Sequence, residues 1–317
     1  MKLMKAIALA AAVLFAFTPA YAETYPTKPV VAVVPFSPGG GNDIVVRLVG
    51  KYITPALGQT LVVENKPGAG GQIGWTAVAK ARSDGYTTCA TSHPSMALVK
   101  ALRKNVPFNM DDFTYVCNFQ VDPLIWVVNK DGQFKDANAV VEYAKQNPGK
   151  LNIAGDGPQS NVQLQHLINS KALGMECNFI PYSGSGPAIT ALMGNQVSIA
   201  LTTLSSAISH IESGRLVPIV MFYDEKIEGI DIKSSKEVFN MDIPSAGTAL
   251  RGIAVPKNTA PEVVSTLEKA FEEVTKNPEF NNQAKQLGLI IKFINSEESN
   301  KLAIESEKIV QEYKSYF

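Results

Sequence analysis

The feature that most constrains this chain of 317 residues is the alternation of short apolar segments with longer amphipathic ones. The short segments have the length and composition of buried strands, and they cover residues 30–34, 60–64, 87–91, 125–129, 151–154, 178–181, 197–201, 217–221 and 252–255. The longer segments have helical periodicity and cover 44–57, 72–81, 95–102, 137–147, 161–173, 186–193, 205–213, 261–275, 279–287 and 296–314. This order is typical of open parallel sheets whose faces are covered by helices, so we expect an α/β fold.

The N-terminus has the pattern of a secretory signal peptide covering residues 1–22. Lys2 and Lys5 precede an apolar run over 6–17, and Ala20-Tyr21-Ala22 offers a cleavage site flanked by small residues. The apolar run is shorter than the ~20 residues that a membrane-spanning helix needs. The residue directly after the cleavage site is not a cysteine, which argues against a lipid anchor. We therefore expect a soluble protein exported to the bacterial periplasm.

The length of the chain indicates how many lobes it forms, and its charge distribution limits the classes of binding partner. A single hydrophobic core stops growing at roughly 250 residues, so we expect two lobes, with residues 23–120 and 248–317 in the first and 121–247 in the second. No low-complexity linker separates these regions, which favours strands that cross between the lobes. The 29 basic and 29 acidic residues are dispersed along the chain. This pattern argues against a nucleic-acid partner or an anionic membrane surface.

The cysteines and histidines give little support for a metal site or cofactor. No Cys-x-x-Cys pair occurs, and the three histidines are scattered, so neither metal nor cofactor is expected. Cys89, Cys117 and Cys177 lie in or beside apolar segments. Buried free thiols are the favoured interpretation, with one disulfide as the alternative.

Glycine-rich turns supply the candidate binding site. The turn 35–43, PFSPGGGND, leads from a strand candidate into a helix candidate. Its three glycines let the main chain approach a ligand, and the positive end of the following helix favours an anion. The alternative is a flexible turn capped by Asn42 or Asp43. The turns 65–71, 154–160 and 182–187 also combine glycines with small polar residues, so we expect two facing rims around one ligand.

Motifs for nucleotide binding or catalysis are not matched. The turn 68–74 has the spacing Gly-x-Gly-x-x-x-Gly and lacks the acidic residue expected about 20 positions later, which argues against a dinucleotide. No turn ends in Gly-Lys-Ser/Thr, which excludes a triphosphate-binding loop of that type. Ser185 lacks the glycine two positions before it that a nucleophile elbow requires. We therefore predict no catalytic residue.

Three side chains outside these motifs are candidates for ligand contact. His93 follows a strand candidate, where its ring could reach a cleft or could serve packing. Arg251 enters a late strand, and its guanidinium could bind a carboxylate in bidentate fashion or form an ion pair beside the hinge. Phe36 is placed in the first glycine turn as a wall of the pocket. Trp75 and Trp126 are interpreted as packing anchors.

Several short motifs together resemble one known family. They are YPTKP at 25–29, VPFSPGG at 34–40, LGQ at 57–59, VENKPGAGG at 63–71, DGYT at 84–87, NPGKL at 147–151, PYSG at 181–184, PA at 187–188 and AVP at 254–256. In this order they are similar to the extracytoplasmic substrate-binding proteins of tripartite tricarboxylate transporters, also called the Bordetella uptake gene family. The resemblance covers essentially the whole chain after the signal peptide.

The resemblance implies a type II periplasmic binding protein of two α/β lobes joined by crossing strands. Such a protein captures a small organic acid, a di- or tricarboxylate, and delivers it to a two-component membrane permease. The resemblance implies carboxylate contacts from a first-lobe turn, 37–43, and a second-lobe turn, 182–188. Together with the residues proposed above, the candidate ligand-binding set is Phe36, Ser37, Gly39, Gly40, Gly41, Asn42, Asp43, Ser92, His93, Ser160, Tyr182, Gly184, Ser185, Gly186, Pro187, Ala188 and Arg251.

The chain also departs from the family pattern. Arg251 stands where the family often places an aromatic residue, and a second cation there would favour a ligand with more than one acidic group. The segment 224–242 lacks the expected proline-rich character and is interpreted as a variable surface loop. Two alternatives stay open, an exported enzyme that uses the same anion cradle and a ligand-loaded receptor for a membrane sensor. A monomer is expected.

Overall fold

The structure is a computed structural model that describes residues 25–223, 225–227 and 229–317. The predicted signal peptide lies outside the described residues. The strands are β1 Val30–Val34, β2 Leu61–Asn65, β3 Thr87–His93, β4 Phe113–Asp122, β5 Leu124–Asn129, β6 Leu151–Asp156, β7 Cys177–Tyr182, β8 Ile199–Thr203, β9 Leu216–Phe222, β10 Ala249–Pro256 and β11 Ile290–Ile294. The helices are α1 Gly41–Tyr52, α2 Thr54–Leu57, α3 Gln72–Ala79, α4 Ser95–Leu102, α5 Ala137–Gln146, α6 Asn161–Leu173, α7 Ser185–Met193, α8 Leu204–Glu212, α9 Ser235–Phe239, α10 Pro261–Lys276, α11 Pro278–Gln286 and α12 Ser296–Tyr313.

The strands form two sheets, each the centre of an α/β lobe. The first sheet has the order β11-β4-β10-β3-β1-β2, and the second has the order β7-β6-β8-β5-β9. Parallel pairing is confined to β1 with β2 and β3, and to β6 with β7 and β8. The late strands β10 and β11, and the strands β4, β5 and β9, pair antiparallel. The expected α/β fold is confirmed, but both sheets are mixed rather than wholly parallel.

The chain crosses between the sheets at two places. The last residue of β4 is Asp122 and the first of β5 is Leu124, so Pro123 alone separates a strand of the first sheet from a strand of the second. The carbonyl of Pro123 accepts a hydrogen bond of 2.9 Å from the backbone N–H of Leu204. The second crossing lies between β9 and β10. We call the part around the first sheet the first lobe and the part around the second sheet the second lobe.

The sequence patterns located most elements but missed β4, β11 and α9. In β4, FTYVCNFQVD, the side chains of Asn118, Gln120 and Asp122 are all buried. The segment from Cys117 to Asp122 alternates apolar and polar residues, which is the pattern of a half-buried strand, so the signal was present in the sequence and was missed. The helix predicted over 44–57 is divided at Ile53 into α1 and α2, because Pro55 cannot continue a helical hydrogen-bond ladder.

Large aromatic side chains fill the interior of each lobe. Trp75 is fully buried in the first lobe, and its indole N–H donates to the carbonyl of Ala90 at 3.1 Å. Trp126 is fully buried in the second lobe, with its ring centroid 5.1 Å from that of Phe222. Both tryptophans are therefore the packing anchors that the sequence predicted. The three cysteines, Cys89, Cys117 and Cys177, are free thiols.

A β-bulge in the first sheet requires glycine at position 252. The pairing of β10 with β4 shifts register between Arg251 and Gly252. A Cβ atom on residue 252 would lie 2.0 Å from the carbonyl oxygen of Cys117, a distance that no side chain tolerates. Bulges re-aim neighbouring side chains. The bulge therefore contributes to the orientation of Arg251.

We expect Gly252→Ala to destabilise the protein by at least ~2 kcal/mol, because overpacking against backbone atoms forces the strands apart. The measurement is the urea midpoint of unfolding. Gly194→Ala is the matched control, since its Cβ would meet its nearest neighbour at 3.4 Å and its φ is negative. Equal midpoints for the two variants would contradict this account of the bulge.

Candidate ligand-binding site

A small chamber lies between the two lobes, and we call it the inner chamber. Its volume is about 70 Å³. First-lobe walls come from the turn after β1 and the start of α1, and second-lobe walls come from the turn after β7 and the start of α7. A second cavity of about 390 Å³, the outer chamber, shares Phe36, Ser37, Asp156, Asn161, Ser183 and Gly184 with it. The two chambers therefore form one cleft.

Two helix N-termini, one from each lobe, face the inner chamber. Helix α1 begins at Gly41 and α7 begins at Ser185, and neither start receives a side-chain cap. By contrast, α5 and α6 are capped by the side chains of Asp136 and Ser160. The first N–H groups of a helix have no partner within the helix, and they lie at its positive end. The inner chamber is therefore suited to a carboxylate held by backbone donors from both lobes.

Asp43 braces the first glycine turn. Its carboxylate accepts hydrogen bonds of 2.9 Å from the backbone N–H of Gly39, from Arg47 Nε and from Asn65 Nδ2. Burial acts to raise the pKa of Asp43, but these bonds and the charge of Arg47 outweigh it and lower the pKa below its usual value. The side chain of Asn65 also donates to the carbonyl of Phe36 at 3.0 Å. Asp43 is thus an ionised anchor of the turn.

Arg251 forms a buried ion pair with Asp122. Its Nη1 also donates to Gln120 Oε1 at 3.2 Å and to Ser205 Oγ at 3.3 Å. In the described part of the chain, its buried Nε has no hydrogen-bond partner, and Arg251 lines the inner chamber. The negative charge of Asp122 offsets the positive charge of Arg251. Arg251 therefore offers hydrogen-bond donors to the inner chamber but adds little net charge to it. The predicted preference for a ligand with more than one acidic group therefore has no free cation here to support it.

Asp122 ties the first lobe to the second. Its carboxylate accepts a hydrogen bond of 3.1 Å from the backbone N–H of Ser205, and a second from the Ser205 hydroxyl. Ser205 lies in the first turn of α8, so the helix end stabilises the carboxylate. Gly41 fits closely against this group, because a Cβ atom there would lie 2.4 Å from Arg251 Nη1 and 2.5 Å from Ser205 Oγ.

Further hydrogen bonds cross between the lobes at the cleft. The Ser95 hydroxyl donates to Asn161 Oδ1 at 3.0 Å, and Arg103 Nε donates to Gln159 Oε1 at 2.8 Å. Arg103 also donates to the carbonyl of Pro158 at 3.3 Å and to that of Ala69 in its own lobe. These contacts describe a closed arrangement of the lobes.

Asn42 has the character of a ligand-contacting side chain. It is 4% exposed and lines the inner chamber. Neither its amide nitrogen nor its amide oxygen has a hydrogen-bond partner in the described part of the chain. Because buried polar groups in native proteins are almost always paired, a guest in the chamber is the natural partner.

The structure brings most of the predicted site residues together, but not all. Those that line the inner chamber are Phe36, Ser37, Gly40, Gly41, Asn42, Ser92, Gly184, Ser185, Gly186, Pro187 and Arg251. Ser160 and Tyr182 line the outer chamber. Gly39, Asp43, His93 and Ala188 line neither. The N–H of Ala188 is used within its helix by the carbonyl of Gly184, at 3.2 Å.

The structure corrects the placement of His93. The ring is buried beside Tyr115, with the two ring centroids 5.1 Å apart, and Nδ1 lies 3.3 Å from the hydroxyl of Ser306 in α12. Burial lowers the pKa of His93 to about 4, so the ring is neutral at physiological pH. The alternative of a packing histidine is the one that the structure shows.

Sequence reasoning missed part of the site. Asp122 lies at the end of β4, a strand that was not predicted, so its pairing with Arg251 could not be anticipated. Thr203 also lines the inner chamber without having been proposed, whereas Ser183 was included only as part of the turn 182–188. Asn161, the first residue of α6, lines the chamber as well. Its position could have been noticed in the sequence, since polar residues are common at helix starts.

Two α/β lobes joined by crossing strands and closed on a chamber between them are the architecture of the periplasmic binding-protein class. Residues 45–313 match the tripartite tricarboxylate transporter family receptor. The chain is 30% identical over 270 residues to a UPF0065 protein of Bordetella pertussis, covering 85% of this chain and 83% of that protein. This chain therefore belongs to the tripartite tricarboxylate transporter receptor family, and the resemblance seen in the sequence is confirmed.

Solved structures agree with this assignment. The periplasmic binding protein BugD is 28% identical with a TM-score of 0.84, over 92% of this chain and 98% of BugD. MatC of Rhodopseudomonas palustris, solved with bound malate, is 25% identical with a TM-score of 0.81, over 92% of this chain and 99% of MatC. In the described residues, no helix has the length and apolar composition needed to cross a membrane.

We expect Arg251→Met to destabilise the protein by about 3–5 kcal/mol, because it leaves the buried Asp122 carboxylate without its cation. The double variant Arg251→Met/Asp122→Asn removes both charges and should recover most of that loss. The measurement is the free energy of unfolding from urea titrations of wild type, both single variants and the double variant. Additive losses in the double variant, or a fully stable Arg251→Met, would show that the pair is not coupled.

Proposed function

We propose that this chain is a periplasmic receptor that captures a small organic di- or tricarboxylate for a two-component membrane permease. The observation that carries the proposal is the convergence of two uncapped helix N-termini, one from each lobe, on one closed chamber. The family assignment supports the transporter partnership. The malate in MatC supports the ligand class.

The proposed mechanism is capture by closure. The open lobes admit the acid, and its carboxylate then receives backbone N–H groups from the starts of α1 and α7. A ligand shifts the equilibrium toward the closed form only by the difference in its affinity for the two forms. Closure removes water from the carboxylate, and the low local dielectric strengthens each hydrogen bond. The cross-lobe bonds of Arg103 and Ser95 then add to the stability of the closed form.

The same geometry argues against the alternative of an exported enzyme. Nucleophilic catalysis by serine needs an adjacent base, most often histidine. Among the described residues that line the inner chamber there is no histidine, and the carboxylate of Asp43 is occupied in bracing the turn. Asp156 does line the chamber, but its contact with the Ser185 hydroxyl is long, at 3.5 Å, and no third group orients the two for nucleophilic attack among the described residues. We propose a binding role without turnover, carried out by a monomer.

The first test removes a single backbone donor. Ser185 is the first residue of α7, a position where proline is well accepted, and proline has no backbone N–H. The preceding residue, Gly184, has an extended backbone, which is the conformation that a residue before proline prefers. We expect Ser185→Pro to weaken malate binding roughly tenfold or more, as loss of a hydrogen bond to a charged group implies. Isothermal titration calorimetry is the measurement.

Ser185→Ala is the matched control, because it removes the hydroxyl and keeps the backbone N–H. It should bind malate more tightly than Ser185→Pro does. Equal affinities in the two variants would argue against the helix end as the carboxylate site. Failure of the wild-type protein to bind any of a panel of di- and tricarboxylates would overturn the proposed function itself.

The second test concerns the Arg103 contacts across the cleft. Arg103→Ala removes the bonds to Gln159 and Pro158, so we expect malate to dissociate several-fold faster from the variant. Stopped-flow measurement of dissociation reports this rate. Arg82→Ala is the control, because Arg82 is 90% exposed and pairs with Asp84 within the same lobe. An unchanged dissociation rate in Arg103→Ala would show that these bonds do not hold the lobes closed.

A further inference from the structure

We infer that Asp156 makes the inner chamber select acids that carry a hydrogen-bond donor on the carbon next to a carboxylate, over plain dicarboxylates of the same size. The donor is a hydroxyl or an ammonium group. The inference rests on the proposed function, since it names the ligand that the same chamber prefers.

The first support is the unsatisfied carboxylate of Asp156. It is the last residue of β6 and lines both the inner and the outer chamber. Its Oδ1 is buried and has no hydrogen-bond partner in the described part of the chain. Its Oδ2 receives one long contact, 3.5 Å from the Ser185 hydroxyl. The Ser160 side chain lies close enough to favour the charged form of Asp156, but no hydrogen bond to Oδ1 meets the distance and angle of a formed bond, so a guest can supply the missing donor.

The second support is the distribution of charge around the chamber. Arg251 and Asp156 are the charged side chains among the described residues that line it, and Arg251 is already paired with Asp122. Burial raises the pKa of Asp156 to about 6, although Ser160, Arg251 and Ser185 act in the opposite direction. A second carboxylate placed beside Asp156 adds repulsion. A donor group on the guest relieves the same charge.

The third support is position. Asp156 lies opposite Tyr182 in the register of β6 and β7, and the N–H of Gly157 donates to the carbonyl of Tyr182 at 2.7 Å. The end of β6 is thereby held against the turn that leads into α7. Ser185, which begins α7, is itself in contact with Asp156. A carboxylate bound at the start of α7 would therefore place its neighbouring carbon within reach of Asp156.

The test compares three acids with the same four-carbon skeleton, namely succinate, malate and aspartate, by calorimetry at pH 7.5. We expect wild type to bind malate or aspartate at least roughly tenfold more tightly than succinate, as a charged hydrogen bond implies. Asp156→Asn should reduce that preference to less than about threefold, and it should bind succinate as well as wild type does or better. Asp131→Asn, which removes the same charge from an exposed turn, should keep the wild-type preference.

The pattern of affinities identifies the donor. Tightest binding of aspartate, with a larger loss for aspartate than for malate in Asp156→Asn, assigns an ammonium group, and the reverse order assigns a hydroxyl. Succinate binding as tightly as both others in wild type would overturn the inference and leave the proposed function standing. A preference that persists in Asp156→Asn would also overturn it. If Asp156→Asn does not fold, the wild-type ranking alone decides.

Discussion

The ion pair between Arg251 and Asp122 is the interaction on which the arrangement of the cleft depends. Two buried charges are tolerated only when they are paired and hydrogen-bonded, and here Gln120 and Ser205 complete the group. Asp122 is the last residue before the chain crosses into the second lobe, and Ser205 belongs to that lobe. The pair therefore fixes how α8 and the start of α1 meet, with glycine at position 41 because no side chain fits there.

Because this pair is neutral overall, attraction for an anion must come from the backbone. In the proposed function the starts of α1 and α7 supply it, and the turn before α1 is held in shape by Asp43, Arg47 and Asn65. Backbone donors recognise carboxylates as a class. Discrimination among acids must then come from the side chains that surround these backbone donors. Asn42 and Asp156 are the important ones, because each lines the chamber with a buried polar atom that lacks a hydrogen-bond partner among the described residues.

The sequence predicted those features that local periodicity and turn chemistry determine. The bounds of β1, α4 and α6 agree with the structure, and α6 carries clear signals at both ends, with Ser160 as its N-cap and Gly174 at its C-terminus. The two glycine turns of the cleft were located from their composition. Strand β4 alternates apolar and polar residues from Cys117 to Asp122 and could have been predicted, whereas the burial of Asn118, Gln120 and Asp122 is a consequence of tertiary packing. The burial of His93 beneath α12 is likewise set by a helix more than 200 residues away in the sequence.

The distribution of charge also indicates at which stage of binding one acid is distinguished from another. With 29 basic and 29 acidic residues the chain has no net charge to steer an acid from a distance, and the effect of a helix end falls off within its first turn. An acid therefore gains most of its binding energy after it is seated. The bonds of Arg103 and Ser95 between the lobes form in that same closed state. In the proposed mechanism closure and recognition are thus one event, and a guest that leaves Asp156 unsatisfied makes the closed state less favourable.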